Sequence, residues 1–151
     1  TTQEQVAQLN TLSDDDMAKC IATAGELDTL PRGGLSNLEG VEEIAVIGVG
    51  NPSESIEAGK MAWAHGFQVR RLQIAPGASI PFHFRLDQEV LIVQEGILEV
   101  SCGDSKFKLA KGDLFSAPKD MPRMYQNTSK KDVDLIVVRP GDHPTKADFL
   151  I

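Results

Sequence analysis

The chain has 151 residues, of which 41% are hydrophobic and 25% charged, with a formal net charge of −7. That length suits one domain with one core. The acidic balance argues against nucleic acid as a partner, because a nucleic-acid footprint needs a basic patch, and against docking on anionic lipid.

No apolar run approaches the roughly 18 residues that a membrane span needs. The opening residues, TTQEQVAQLN, are polar and do not read as a signal peptide. Cys20 and Cys102 lie far apart and form no CxxC pair. That predicts free thiols in a reducing compartment, and so a cytoplasmic protein.

In chain order, residues 1–30 read as helical. Val6, Leu9 and Leu12 have helical spacing, and Ser13 is placed to cap a second helix beginning with Asp14, Asp15 and Asp16 and continuing through Met17, Ile21 and Ala22. Pro31-Arg32-Gly33-Gly34 ends the region. A helical arm over 1–38 is therefore expected, packed on a β domain over 39–151 or on a partner subunit. Two short acidic helices are too little for a DNA-reading pair.

From residue 42 the pattern changes to strands. Candidates are 43–48, 60–64, 67–74, 89–94, 97–102, 105–109, 113–117, 123–127 and 133–139, several of them rich in Val and Ile and separated by Gly, Asp, Ser or Pro. Glu95-Gly96 and Gly103-Asp104 sit where hairpin turns belong. Many short strands without alternating helices predict an all-β antiparallel sandwich or barrel.

Residues 44–53, IAVIGVGNPS, imitate a dinucleotide-binding turn, with Arg70 and Arg71 in reach of an imagined 2′-phosphate. The third glycine is missing, Pro52 interrupts the turn, and no βαβ unit follows. A core strand followed by a loop is the better reading.

Two motifs carry more. The first is Gly77, five residues, His83, one residue, Arg85, three residues, Glu89, six residues, Gly96. The second runs from Gly112 through Pro118 to Arg123 and Asn127. Spaced this way, they resemble the two signature motifs of the cupin superfamily. The resemblance covers about residues 67–140 and implies a cupin-type antiparallel jelly-roll barrel. In that family, two histidines and a glutamate of the first motif and a histidine of the second converge on Fe, Mn, Ni, Zn or Cu. Here His83 and Glu89 match two ligand positions, while Arg85 and Arg123 stand at the other two. Asp120 replaces a usual glycine of the second motif.

A guanidinium has only donors and stays protonated, so it cannot ligate a cation. His83 and Glu89 alone fall short of the three protein ligands a stable site needs. The spare donors His65, His143, Asp87 and Tyr125 lie at no ligand position. No metal cofactor is favoured, although the resemblance keeps a divalent Fe, Mn, Ni or Zn site built on His83 and Glu89 as the alternative, and with it dioxygenase, isomerase or lyase chemistry.

The substitutions suggest a different pocket. Arg85 and Arg123 suit a small carboxylate or phosphate gripped in bidentate fashion. Glu89 would pair with one of them, and His83, near neutral pH, would serve as acid, base or hydrogen-bond donor. Tyr125, two residues beyond Arg123, shares its strand face and adds a hydroxyl. His83, Glu89 and Tyr125 are the candidates for any catalytic role. The competing readings are a vestigial core histidine, a structural Arg85–Glu89 pair, and an Arg123 turned to solvent. His65 beside Trp63 reads as packing, His143 as a solvated loop residue, and Cys102 as a buried small hydrophobe. Pairing of sheet edges predicts a homodimer.

Overall fold

The computed structural model describes residues 2–3, 13–49, 59–61, 66–141 and 146–150. Among the described residues, α1, Asp14–Ala18, and α2, Ala24–Leu27, precede the strands, while the helix expected through Val6, Leu9 and Leu12 lies outside the described residues. The Ser13 hydroxyl oxygen accepts from the Asp16 N–H at 3.1 Å, so the expected cap is present. Ile21 and Ala22 do not extend α1. Thr23 restarts the helix instead. Its side chain accepts from the Glu26 N–H, and the Glu26 carboxylate accepts from the Thr23 N–H at 3.0 Å. This reciprocal capping box fixes a new N-terminus. Buried Leu27 and Leu35 anchor this segment. Its surface ion pairs, such as Arg71–Asp28 at 3.2 Å, contribute little by comparison.

The strands are β1 (Val41–Ile47), β2 (Phe67–Ile74), β3 (Ser79–Phe84), β4 (Glu89–Glu95), β5 (Leu98–Cys102), β6 (Ser105–Leu109), β7 (Leu114–Ala117), β8 (Arg123–Gln126), β9 (Val133–Pro140) and β10 (Asp148–Phe149). They form two five-stranded antiparallel sheets, ordered β1-β2-β9-β4-β7 and β10-β3-β8-β5-β6. Of the expected strand over 60–64, residues 60 and 61 are not in a strand and 62–64 lie outside the described residues.

Gly103-Asp104 closes the β5–β6 hairpin as expected, with Cys102 opposite Ser105. Gly96 does not close a hairpin. β4 belongs to one sheet and β5 to the other, so this turn carries the chain across the sandwich. Gly96 has φ +84°, and a Cβ there would lie 2.5 Å from the Asp132 carbonyl oxygen. Both the left-handed backbone and the close approach require glycine.

β3 does not stand out in the sequence, because SIPFHF lacks clean alternation and Pro81 has no N–H. Its register against β8 shifts between Ile80, opposite Tyr125, and His83, opposite Arg123. Three residues of β3 thus span two of β8. This bulge lets both Ile80 and His83 point inward despite their odd spacing.

The alternation of the remaining strands sorts the interior into two halves. Leu72 and Ile74 of β2, Leu91 and Val93 of β4, and Val133, Leu135 and Val137 of β9 form the apolar half with Ile80, Leu98 and Val100. Continuing along the same inward faces brings buried polar groups: Gln68 and Arg70 on β2, Glu89 on β4, Arg139 on β9, and Glu43 on β1. Asn127, just past β8, ties the apolar end together. Its Nδ2 donates to the carbonyls of Ile74 at 2.9 Å and Lys131 at 2.6 Å, and its Oδ1 accepts from the Ser129 N–H and hydroxyl.

Asp120 has φ +61°, a left-handed conformation that glycine adopts more readily. Its N–H donates to the Arg85 carbonyl at 2.8 Å, fastening the loop before β8 to the residue just after β3. Cys20 and Cys102 are both free thiols, and Cys102 is half-buried rather than buried.

Candidate functional site

Glu89 is the hub of the polar half. Its Oε2 accepts from the Arg123 guanidinium at 3.0 Å and from the Tyr125 hydroxyl at 2.9 Å. Its Oε1 accepts from Arg139 Nε at 3.0 Å and lies 3.7 Å from Arg85 Nε. A second carboxylate, Glu43, accepts from Arg139 at 3.3 Å and from Arg70 at 3.3 Å. Arg139 therefore bridges the two carboxylates. Arg123 is fully buried, so it does not turn to solvent. The inward face of β8 carries it into the barrel.

These positions set the ionisation states. Burial pushes Glu89 up, but the guanidinium groups of Arg139, Arg85 and Arg123 outweigh it, and with the Tyr125 hydroxyl they hold the carboxyl down at about 2. Burial and then the Glu89 charge push Tyr125 well above its ordinary range. Burial, and next the like charge of Arg139, lower Arg85 to about 10. For Arg139, burial works downward, but the two carboxylates win and raise it.

His83 is 1% exposed. Its ring sits 5.6 Å from Tyr125 and 5.5 Å from Phe149 between centroids. Burial is the main cause that lowers it to about 4, which favours the neutral ring at pH 7. Nδ1 lies 2.8 Å from the Pro81 carbonyl oxygen. A carbonyl only accepts, so Nδ1 carries the proton and Nε2 the lone pair. Nε2 is buried and meets no hydrogen-bond partner among the described residues.

That lone pair is the one feature of a metal ligand that persists. Both Glu89 oxygens are already held by guanidinium and phenol donors, and Arg85 and Arg123 stand beside them as fixed cations. Among the described residues no three His, Cys, Asp or Glu side chains converge. These residues do not fit a divalent ion. His65 and His143 lie outside the described residues. Asp87 is in the loop before β4.

Above the cluster lies a cavity of about 280 Å³. Arg70, Arg85 and Arg139 line it together with Glu43. Of the five residues foreseen for the pocket, only Arg85 reaches this cavity. Glu89 borders a separate hollow of about 230 Å³ beside Arg139. The roof is a 3₁₀ turn, Gly34–Asn37. Gly34 has φ +52°, and a Cβ there would collide with the Glu43 carboxylate. The Leu35 N–H donates to the same carboxylate at 3.3 Å.

Three members of the cluster, Glu43, Arg70 and Arg139, were not foreseen as site residues. The signal was the period of two. In VDLIVVR it places Arg139 on the face of Val133, Leu135 and Val137. In FQVRRLQI it places Arg70 with Leu72 and Ile74.

An antiparallel jelly roll with a charged cluster at one end of its interior defines a class of small barrel proteins. Residues 70–139 match the family model described as a cupin domain, which identifies this stretch of the chain as cupin-like. A search of curated proteins finds no match. Among solved structures, the polyketide cyclase RemF from Streptomyces resistomycificus superposes with a TM-score of 0.63 at 15% identity, covering 87% of this chain and 88% of that one. Recombinant oxalate oxidase in complex with glycolate gives 0.60 at 19%, covering 93% and 67%. The Cnp3 cupin domain of Schizosaccharomyces pombe gives 0.57 at 14%, covering 77% and 72%. At these identities the likeness establishes the fold.

Proposed function

We propose that the chain is a binding protein for a small organic anion, held by arginines at the polar end of the barrel without a metal ion. The observation that carries this reading is the set of buried guanidinium groups, Arg70, Arg85 and Arg139, lining one cavity while Glu43 and Glu89 hold them from behind. Guanidinium pairs recognise planar anions through two parallel hydrogen bonds, and fixing them in advance reduces the cost of binding. Arg123, Tyr125 and His83 act from beneath, as supports of Glu89 and of the floor.

The metal-dependent enzyme built on His83 and Glu89 is the weaker alternative, because the donors that remain are too few and face fixed positive charge. A thermal-shift panel of carboxylates, phosphate and divalent metals separates the two. Carboxylates or phosphate are expected to raise the midpoint, and Arg85→Ala to remove the rise. A rise with a divalent metal and none with any anion would overturn the proposal.

The free thiols of Cys20 and Cys102 support a reducing compartment, the cytoplasm. Among the described residues no helix is long and apolar enough to cross a membrane. We also propose a homodimer. β6 and β7 are the outer strands of their sheets, and Phe107 and Leu114 on them are both 61% exposed. Light scattering is expected to give twice the chain mass at micromolar concentration, and a monomer there would refute it.

A further inference from the structure

The cavity lining is chemically mixed. Its cationic members are Arg70, Arg85, Arg139 and Lys146. Its apolar members are Leu35, Val49, Ala147 and Phe149. From these two sets we infer that the occupant is an amphipathic monocarboxylate, with its carboxylate on Arg85 and Arg139 and its apolar body against Leu35, Val49 and Phe149. This rests on the anion-binding reading above and narrows it to one ligand class.

Size, charge and shape point the same way. A volume of about 280 Å³ gives room for a small organic body such as a single aromatic ring. Glu43 lies in the lining, so a second negative charge on the ligand would meet a carboxylate. A phosphate would turn at least one oxygen toward the apolar lining, where nothing satisfies it. A carboxylate has two oxygens in one plane and leaves the rest of the molecule free to bury apolar surface. The lowered pKa of Arg85, caused by burial and by the like charge of Arg139, is the state that an added anion relieves.

The two sets have separate origins in the chain, and so they can be tested separately. Arg85 directly follows β3 and Arg139 lies on β9. Phe149 is half-buried on β10, opposite His83. Its truncation removes apolar lining without touching a guanidinium.

The test is calorimetric titration of the intact protein with benzoate, benzamide, acetate, succinate and inorganic phosphate, repeated on Arg85→Gln and Phe149→Ala after circular dichroism has confirmed folding. Benzoate is expected to bind one per chain. Benzamide, which lacks the charge, and acetate, which lacks the body, should each bind at least about tenfold more weakly. Phe149→Ala should weaken benzoate severalfold and leave acetate unchanged, while Arg85→Gln weakens both. Should Arg85→Gln fail to fold, the benzamide comparison and Phe149→Ala still decide the matter. Tighter binding of succinate or phosphate than of benzoate would overturn this inference and leave the anion reading standing. Equal binding of benzoate and benzamide would also overturn it. No binding of any anion would overturn both.

Discussion

Glu89→Gln is expected to cost about 3–5 kcal/mol of folding stability, the range for removing one partner of a buried ion pair. Glu89 is 2% exposed and accepts hydrogen bonds from Arg123, Arg139 and Tyr125, with Arg85 in ionic contact. Glutamine keeps the shape and removes the charge. It also puts an amide donor where one oxygen faced a guanidinium, so positive groups remain buried with less to balance them. For a domain of this size the loss corresponds to a drop in melting midpoint of roughly 10 °C. Denaturant unfolding measures it, and a loss under about 1 kcal/mol would mean that the cluster is solvated and not a structural hub.

Stability is expected to fall steeply on acidification, in two steps. His83 drops from an ordinary 6.5 to about 4 in the folded protein, chiefly through burial. Between those values the unfolded chain takes up a proton that the folded chain refuses, so stability falls with pH across that window and levels off below it. The shift is worth roughly 3 kcal/mol. Glu89 drops from 4.5 to about 2. Its contribution is complete above 4.5 and is lost as pH falls from there toward 2. His83→Gln removes the first step and leaves the second. Unfolding free energies at pH 7, 5.5 and 4.5 for the two proteins test this. Parallel curves for wild type and His83→Gln would show that His83 is not held neutral by burial.

The chain's fold is more legible in its sequence than its site is. β2 and β6 have the bounds that their residue patterns predict, because turn residues flank them on both sides. β3 escapes because its bulge breaks the period of two and Pro81 disguises the strand. Gly96 reads as a hairpin turn from its neighbours, yet which sheet each flanking strand joins is decided by long-range pairing that no local pattern contains.

At the site, motif spacing picks out His83, Arg85, Glu89 and Arg123, strand alternation adds Tyr125, and the structure brings these five together. Glu43, Arg70 and Arg139 escape because Arg and Glu are ordinarily solvated, and charge alone does not announce burial. Only the continuation of the inward face does. The cavity itself is assembled from segments far apart in the chain, Gly34–Asn37 at one edge and Lys146 to Phe149 at the other.

Arginines stand where a metal site would need ligands. The most direct measurement is metal content by elemental mass spectrometry on protein purified without chelator and without nickel affinity. The prediction is far less than one equivalent of Fe, Mn, Ni, Zn or Cu per chain. A value near one equivalent would contradict it, and His83 and Glu89 would then have to be ligands.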